Sequence, residues 1–292
     1  MSSHEASILE SKPSVFLSAA ADKGSRARTD ARLKRIGAKQ RVPDFVVKAV
    51  LPVLILAVWQ LSTQLQWIDP LFLPTPWSVV KAFYDLLTKD RLLQDLNVSG
   101  VTVLEGFLIG ASLGLLLGVF AGLSSTFEKL TSSALNSIRQ VPPLAFLPLI
   151  ILWAGAGNAG KLVVISKAVF FPVFMNTLQG IRAVAKEYVE VGKIFEYSRV
   201  RLLRKVILPA ALPSIFVGVR YGAGLAWAMI IAAEMLGGRR GLGYLLTRSQ
   251  ELLLTEQLFM VIIIIGAIGF LVDLGLRGLE QRMVRWKRGF EG

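Results

Sequence analysis

Several uninterrupted apolar runs in this chain are long enough to cross a lipid bilayer. Between Val98 and Leu123 the only charged residue is Glu105, and between Leu258 and Val272 there is none. A hydrocarbon core of roughly 30 Å requires about 20 predominantly apolar residues in a helix. Hydrophobic residues make up 53% of the chain, and the mean hydropathy is +0.57. These features predict an integral membrane protein with helical spans.

The apolar runs divide the chain into about six predicted transmembrane helices. The basic, polar residues 1–44 precede them and predict a disordered cytoplasmic tail, with a lipid-facing amphipathic segment over Ala31–Val42 as the alternative. Residues 45–285 form the predicted transmembrane domain, and residues 286–292 form a short cytoplasmic C-terminal end. The predicted spans are Phe45–Leu65, Val98–Leu123, Ala134–Trp153, Lys161–Gln179, Ala211–Leu236 and Leu258–Leu276.

The formal net charge of +13 is divided unevenly between the two sides of the membrane. With an even number of spans, the N-terminal region, the segment between the fourth and fifth spans, and the C-terminal end share one side. Counted over Lys12–Lys48, Arg182–Lys205 and Arg277–Arg288, these three regions carry 22 of the 33 lysines and arginines. Because lysine and arginine are enriched in cytoplasmic loops, both termini are predicted to be cytoplasmic. No nucleic-acid-reading motif accompanies the positive charge.

Cysteine and histidine, which carry much of catalytic and metal-binding chemistry, are almost absent. The chain has no cysteine, and its single histidine, His4, lies in the tail, which excludes disulfides, thiolate nucleophiles and sulfur-ligated metal sites. The stretch Gly155–Lys161 has the spacing G-x-x-x-x-G-K, but Leu162 stands where a phosphate-binding loop needs Ser or Thr for Mg²⁺. We therefore interpret this stretch as a glycine-rich connection between two spans.

Prolines predict two interruptions of helical structure. The Leu-Pro-Thr-Pro sequence at residues 73–76 ends the first helix, and the pattern that follows predicts a short interfacial helix over Trp77–Leu87. The third span contains Pro142, Pro143 and Pro148. A membrane helix tolerates proline where its neighbours satisfy the freed carbonyls, so a broken or strongly kinked helix is expected there.

The second span carries a glycine at every fourth position, which we call the glycine stripe. Positions four apart lie on one slowly drifting face of a helix, and small residues on such a face allow another backbone to approach closely. The pattern predicts a tight helix contact, within one subunit by preference and between two subunits as the alternative. Its members are Gly106, Gly110, Gly114, Gly118 and Gly122.

Among the ionisable residues inside predicted spans, the functional candidates are Lys167, Arg220 and Glu234. Charged groups in a membrane are costly and therefore suggest function. Each is a candidate for lining a transport pathway, and a structural pair or an interfacial anchor is the alternative for each.

The segment between the fourth and fifth spans, residues 186–209, has the features of a docking element. It is basic, it ends in Leu208-Pro209 directly before the next span, and Leu202, Leu203 and Val206 give it an apolar face at helical spacing. A short amphipathic helix outside the lipid is suited to binding a partner protein.

This segment resembles the coupling loop of ABC importer permeases, whose pattern is Glu-Ala-Ala, three residues, Gly, nine residues and Ile-x-Leu-Pro. Glu190 matches the Glu, and Val206, Leu208 and Pro209 match the end of the pattern. The stretches that follow, at residues 210–220, 225–227, 233–234 and 241–245, resemble the branch for nitrate, sulfonate and taurine. The resemblance covers about Leu51 to Gln281.

The resemblance implies a type I ABC importer permease fold with a cytoplasmic coupling helix between spans four and five, in the bacterial inner membrane. It implies a second permease subunit in a homodimer, two ATP-binding cassette subunits, and a periplasmic or lipid-anchored solute-binding protein. ATP and Mg²⁺ would bind the ATPase subunits, so this chain would hold no cofactor and would not be an enzyme. Its cargo would be a small anion such as an aliphatic sulfonate, taurine or nitrate. The residues implied in coupling are Glu190, Val191, Gly192, Glu196, Leu208 and Pro209.

Two departures from the family pattern bear on this expectation. Val191-Gly192 replaces Ala-Ala, and Glu196 occupies the position of the glycine that permits a turn between two short helices. Because Glu disfavours positive φ, Glu196 leaves the geometry of that turn open, while the rest of the segment fits the coupling role. The alternative functions are a stand-alone secondary transporter or channel and a permease for another small solute.

Overall fold

The structure, a computed structural model, describes residues 44–88, 92–155 and 157–284. The predicted tail before residue 44, with its amphipathic segment Ala31–Val42, and the predicted C-terminal end at 286–292 lie outside the described residues. Within the described residues, the secondary structure consists of helices joined by short turns, with no β-strand.

The described helices follow one another with few long connections. The described residues form eleven α-helices, which are α1 (Asp44–Gln64), α2 (Pro76–Thr88), α3 (Leu92–Leu123), α4 (Ser125–Gln140), α5 (Leu147–Ala154), α6 (Asn158–Arg182), α7 (Lys186–Ile194), α8 (Arg199–Leu202), α9 (Leu208–Gly237), α10 (Leu242–Glu251) and α11 (Thr255–Met283). A 3₁₀ turn at Pro143–Phe146 precedes α5, and a π-helical turn at Leu203–Ile207 joins α8 to α9. Helix α2 is the short helix predicted after the prolines at 73–76.

Among the described residues, four helices have the length and composition to cross a membrane. They are Leu92–Leu123, Asn158–Arg182, Arg199–Gly237 and Thr255–Met283. They confirm the second, fourth, fifth and sixth predicted spans. The apolar helical parts of the first and third predicted spans are shorter, namely Ala49–Gln64 within α1 and Pro143–Ala154.

The third predicted span is broken near its middle. Helix α4 ends at Gln140, Val141 takes an extended conformation with ψ 117°, and Pro142 continues extended with ψ 138° before the 3₁₀ turn begins. Proline disfavours the helical conformation in the preceding residue and cannot donate a backbone hydrogen bond. The consecutive prolines therefore divide the span into α4 and α5, as the sequence predicts.

The glycine stripe of α3 lies against α6 in the same chain. A Cβ atom at Gly114 would lie 2.7 Å from the carbonyl oxygen of Phe170, and one at Gly118 would lie 2.7 Å from the Cβ of Thr177. Ser166 of α6 donates a hydrogen bond of 3.1 Å to the carbonyl oxygen of Gly106. The two backbones approach so closely that no side chain fits between them.

Helix α9 packs against another side of α6, also through glycine. A Cβ atom at Gly218 would lie 2.7 Å from the carbonyl oxygen of Pro172. Ile165, Val169 and Val173 of α6 form a fully buried cluster with Ala226 and Ile230 of α9. Helix α6 is therefore the central helix, held between α3 and α9.

Replacing Gly114 by alanine is expected to destabilise the protein, because the new methyl group meets the α6 backbone and forces the helices apart. Overpacking of this kind costs about 1–3 kcal/mol. Gly100→Ala on the same helix is the matched control, since a Cβ at Gly100 meets nothing within 4 Å and alanine favours the helix. Thermal unfolding of the purified protein should show a lower midpoint for Gly114→Ala only. Equal midpoints for the two variants would contradict a close α3–α6 contact.

Candidate functional site

The predicted coupling segment is a helical hairpin that joins α6 to α9. Helix α7 runs over Lys186–Ile194, and after a turn the chain forms α8, the π-helical turn and α9 without interruption, so that Arg199–Gly237 is one continuous helix of 39 residues. The second arm of the hairpin is therefore the first part of a membrane span. A force applied to this arm is transmitted directly to α9.

The π-helical turn lies directly before Pro209. The amide of Leu208 donates to the carbonyl oxygen of Leu203, five residues earlier. Pro209 has no amide hydrogen to donate to a carbonyl in the preceding turn, and the wider turn accommodates this loss without breaking the helix. Single π-helical turns are rare in proteins overall, and those that occur are often at functional sites.

The turn between α7 and α8 forms even though no glycine is present. Glu196 takes a left-handed conformation with φ 53°. Its amide donates to Lys193 O at 2.9 Å, and the amide of Tyr197 donates to Gly192 O at 3.0 Å. This pair of hydrogen bonds is the Schellman motif that ends many helices. The turn that the sequence left open therefore forms with Glu196 in place, because two backbone hydrogen bonds hold a conformation that glycine would adopt more readily.

The two arms of the hairpin touch at Gly192. This residue is buried, and a Cβ atom there would collide with the Cδ1 methyl of Leu202 and lie 3.7 Å from Val206. The small residue lets α7 rest on the apolar face of the second arm. The predicted apolar residues Leu202 and Val206 thus hold the hairpin together.

The outer surface of the hairpin is apolar and unusually exposed. Ile194 is 78% exposed and Phe195 68% exposed, and Tyr188, Val191 and Val200 are also exposed. Glu190 is exposed beside them on α7. We call these residues the docking face. Soluble surfaces rarely leave contiguous large apolar side chains in water, and such a patch marks an interaction site.

The predicted pathway residue Arg220 pairs with carboxylates of α11. Its guanidinium donates hydrogen bonds to Glu280 at 2.9 Å and to Asp273 at 3.1 Å. Asp273 also pairs with Arg277 at 2.8 Å. Two carboxylates compensate the charge of Arg220, so this residue joins α9 to α11.

The predicted pathway residue Glu234 is buried, with 1% of its surface exposed. Gly243 donates its amide hydrogen to the carboxylate at 2.9 Å, and the hydroxyl of Ser99 lies 2.9 Å from both carboxylate oxygens. The Ser99 oxygen also accepts the amide hydrogen of Leu242, and Lys161 Nζ lies 3.8 Å from the carboxylate. Glu234 therefore holds the start of α10 against α3.

Lys167, the third predicted pathway residue, occupies a different environment from the other two. Its Nζ lies 3.5 Å from the centre of the Phe146 ring, in the 3₁₀ turn after the helix break. It lines a cavity of about 450 Å³ between the break, α6 and α9. The structure thus places the three ionisable residues at three separate sites, and of the three Lys167 lines this cavity.

Comparison with known proteins agrees with this architecture. The family described as the binding-protein-dependent transport system inner membrane component matches residues 114–285. The chain belongs to this family. It is thus the membrane-spanning permease subunit of an ABC importer, and in this family ATP hydrolysis belongs to separate ATPase subunits.

Two curated relatives are similar to this permease over most of its length. It is 36% identical over 269 residues to the aliphatic sulfonates transport permease protein SsuC of Bacillus subtilis (strain 168), covering 92% of this chain and 98% of the relative. It is 35% identical over 237 residues to the taurine transport system permease protein TauC of Escherichia coli (strain K12), covering 80% of this chain and 86% of the relative.

A solved structure supports the fold of the permease. A chain of the MetNI methionine ABC transporter in an inward-facing conformation superimposes with a TM-score of 0.54 at 16% identity, covering 72% of this permease and 98% of that chain.

The phosphate-loop spacing at 155–161 has a structural role in the permease. Gly155 takes φ 78°, α6 begins at Asn158, and the Lys161 side chain points to Glu234. Within the described residues no strand precedes this loop, so the context that a phosphate loop requires is missing.

The sequence analysis missed two residues of α3 that hold the start of α10, namely Ser99, which contacts Glu234, and Asp95. Asp95 accepts the amide hydrogen of Gly241 at 2.8 Å. A signal was available, because Ser99 lies seven residues before Gly106 and therefore on the same helix face as the glycine stripe.

Glu196→Gly is expected to stabilise the hairpin turn, because a left-handed conformation costs a non-glycine residue about 1–2 kcal/mol. Hydrogen exchange at the backbone amides of position 196 and Tyr197 should slow. The slowing should reach at most about fivefold, because glycine loses more entropy on ordering and this offsets part of the gain. Glu196→Val should accelerate exchange, because a β-branched residue fits this conformation least well. Faster exchange in Glu196→Gly would show that the glutamate side chain itself holds the turn.

Glu234→Ala is expected to lower the stability of the permease by about 2–4 kcal/mol, because it leaves the Gly243 amide, the Ser99 hydroxyl and Lys161 without their acceptor. Glu234→Gln, which keeps one acceptor oxygen, should lie between Glu234→Ala and the unaltered protein. Glu251→Ala, at an exposed glutamate on α10, is the control and should change little. If Glu234→Ala unfolds at the same temperature as the unaltered protein, the carboxylate does not hold α10 against α3.

Proposed function

We propose that this permease imports a small anion, as a homodimer driven by two ATP-binding cassette subunits that dock on the hairpin of residues 186–209. In this arrangement the hairpin faces the cytoplasm together with both chain termini. A separate solute-binding protein delivers the cargo from the other side of the membrane. ATP and Mg²⁺ bind the ATPase subunits.

The single observation that carries the coupling role is the continuity of the docking face with a membrane span. Ile194 and Phe195 are exposed on one arm, and the other arm is the beginning of the continuous helix Arg199–Gly237. Burial of large apolar side chains is worth about 1.5–3 kcal/mol each, which supports a stable protein contact. The continuous helix then converts movement of that contact into movement of α9.

The residues of the coupling pattern divide this task. Glu190 is exposed on α7 and is positioned to contact the ATPase, and Val191 belongs to the docking face. Gly192 and Glu196 shape the hairpin, through the contact with Leu202 and through the left-handed turn. Leu208 and Pro209 form the junction with α9.

The proposal of an anionic cargo rests on the names of the relatives. The Bacillus subtilis relative is named for aliphatic sulfonates and the Escherichia coli relative for taurine. Both ligands carry a sulfonate group, which is negatively charged at neutral pH. We propose an aliphatic sulfonate, taurine or nitrate as the cargo.

Glu190→Lys is expected to reduce both co-purification of the ATPase and ATP-driven uptake by about tenfold, because it reverses a charge within a desolvated contact. Glu251→Lys makes the same change on α10, away from the hairpin, and should leave both unaffected. The measurements are pull-down of the ATPase by the tagged permease, and uptake of ³⁵S-labelled ethanesulfonate and taurine and ¹³N-labelled nitrate into proteoliposomes that contain the assembled importer and its binding protein. Anion uptake by the permease alone, without ATP, would contradict the proposal.

A further inference from the structure

We propose that the cavity between the helix break, α6 and α9 is a binding site for a small oxyanion with a short apolar tail, such as an alkanesulfonate, on its way across the membrane. The inference rests on the proposed function and adds the site and the preferred class of cargo. The cavity has a volume of about 450 Å³, within the range of small-molecule sites.

The cavity contains positive charge without a compensating carboxylate. Lys167 of α6 and Arg139 of α4 both line it, and among the described residues no aspartate or glutamate does so. Within the same part of the chain, neither cation forms an ion pair with a carboxylate. Lys167 has the Phe146 ring at 3.5 Å as its charge partner. An anion that enters the cavity would therefore supply the missing opposite charge.

Both cations lie far from the first residue of their helices. Lys167 lies nine residues after the start of α6, which is roughly 14 Å along the helix. Arg139 lies fourteen residues after the start of α4, roughly 21 Å along it. Lys167 lies inside the candidate membrane span α6, and Arg139 is exposed in the last turn of α4. A charge inside a membrane span is costly and marks a candidate pathway for charged cargo.

The helix break opens the space that the anion would occupy. Helix α4 ends one residue after Arg139, and the 3₁₀ turn that follows brings Phe146 to Lys167. In membrane transporters, discontinuous helices form substrate sites near the middle of the bilayer, because irregular backbone is tolerated only where it lines a cavity or is buried in protein. The prolines that break α4 from α5 thus have a functional consequence.

Polar and apolar groups divide the remaining wall of the cavity. Asn176, Gln179 and Tyr221 supply hydrogen-bond donors for oxyanion oxygens, while Leu225 and Met229 supply an apolar surface. An alkyl chain fits the apolar surface, and a sulfonate fits the donors and cations. The absence of a lining carboxylate among the described residues leaves the ammonium group of taurine without a partner. The site is therefore expected to prefer simple alkanesulfonates over taurine.

The absence of cysteine from the chain allows a direct measurement of the charge in this cavity. Met175 lines the cavity, and a Met175→Cys variant of the assembled importer can be treated with two methanethiosulfonate reagents of similar size. One carries a sulfonate and the other a trimethylammonium group. We expect the ratio of the anionic to the cationic rate to exceed the ratio for free cysteine by about tenfold, because nearby cations attract the anionic reagent.

Removing either charge from the cavity should weaken this preference. Lys167→Met and Arg139→Gln should each lower the rate ratio by about fivefold, whereas Lys129→Met, at an exposed lysine of α4 outside the cavity, should leave it unchanged. Lys167→Arg keeps the charge and should keep the preference. Millimolar ethanesulfonate should slow labelling more than equimolar taurine does. A ratio like that of free cysteine, or one unaffected by both Lys167→Met and Arg139→Gln, would overturn the proposed site.

Uptake by the same assembled importer tests the proposed function separately from the site. Loss of the labelling preference together with retained ATP-driven anion uptake would refute the cavity and leave the importer function intact. A preserved labelling preference with no ATP-driven uptake of any of the three anions would support the cavity and refute the anion-import function.

Discussion

The close contact between α3 and α6 is the constraint on which the rest of the described helices depend. In lipid there is no hydrophobic driving force for helix association, so van der Waals packing and hydrogen bonds hold the helices together. The glycine stripe allows backbone contact along α3, with Gly114 facing Phe170 of α6. Glycines of α9 repeat this arrangement on another side of α6. Because α6 is held on two sides, the helix break, the cavity and the hairpin that surround it have fixed positions.

Helices α6 and α9 connect the two candidate sites, the hairpin of residues 186–209 and the cavity that Lys167 lines. The hairpin begins four residues after the last residue of α6 and continues into α9, and the cavity with Lys167 lies between the same two helices. A displacement of the docking face would therefore move a wall of the cavity. Arg220 joins α9 to α11 and Glu234 joins it to α10 and α3, so the movement of α9 would carry these helices with it.

Local sequence patterns predicted the features that depend on local chemistry. Apolar run length located the long spans, and consecutive prolines located the break of the third span. Features that depend on distant residues could not be predicted in the same way. The glycine stripe indicated a close contact but did not identify α6 as the partner helix. The sequence around Glu234 likewise did not indicate its contact with Ser99, which lies 135 positions away. Glu196 shows the limit of a residue preference, because two backbone hydrogen bonds outweigh its disfavoured φ.

The central claim is that the hairpin of residues 186–209 carries force from an ATPase to the membrane spans. Site-specific photocrosslinking tests it most directly, with benzoylphenylalanine in place of Ile194, which is 78% exposed at the tip of α7. In the intact assembly we expect the main crosslinked product to join this permease to its ATPase subunit. A crosslink to the solute-binding protein, or an unmodified permease in the presence of the assembled ATPase, would contradict the account.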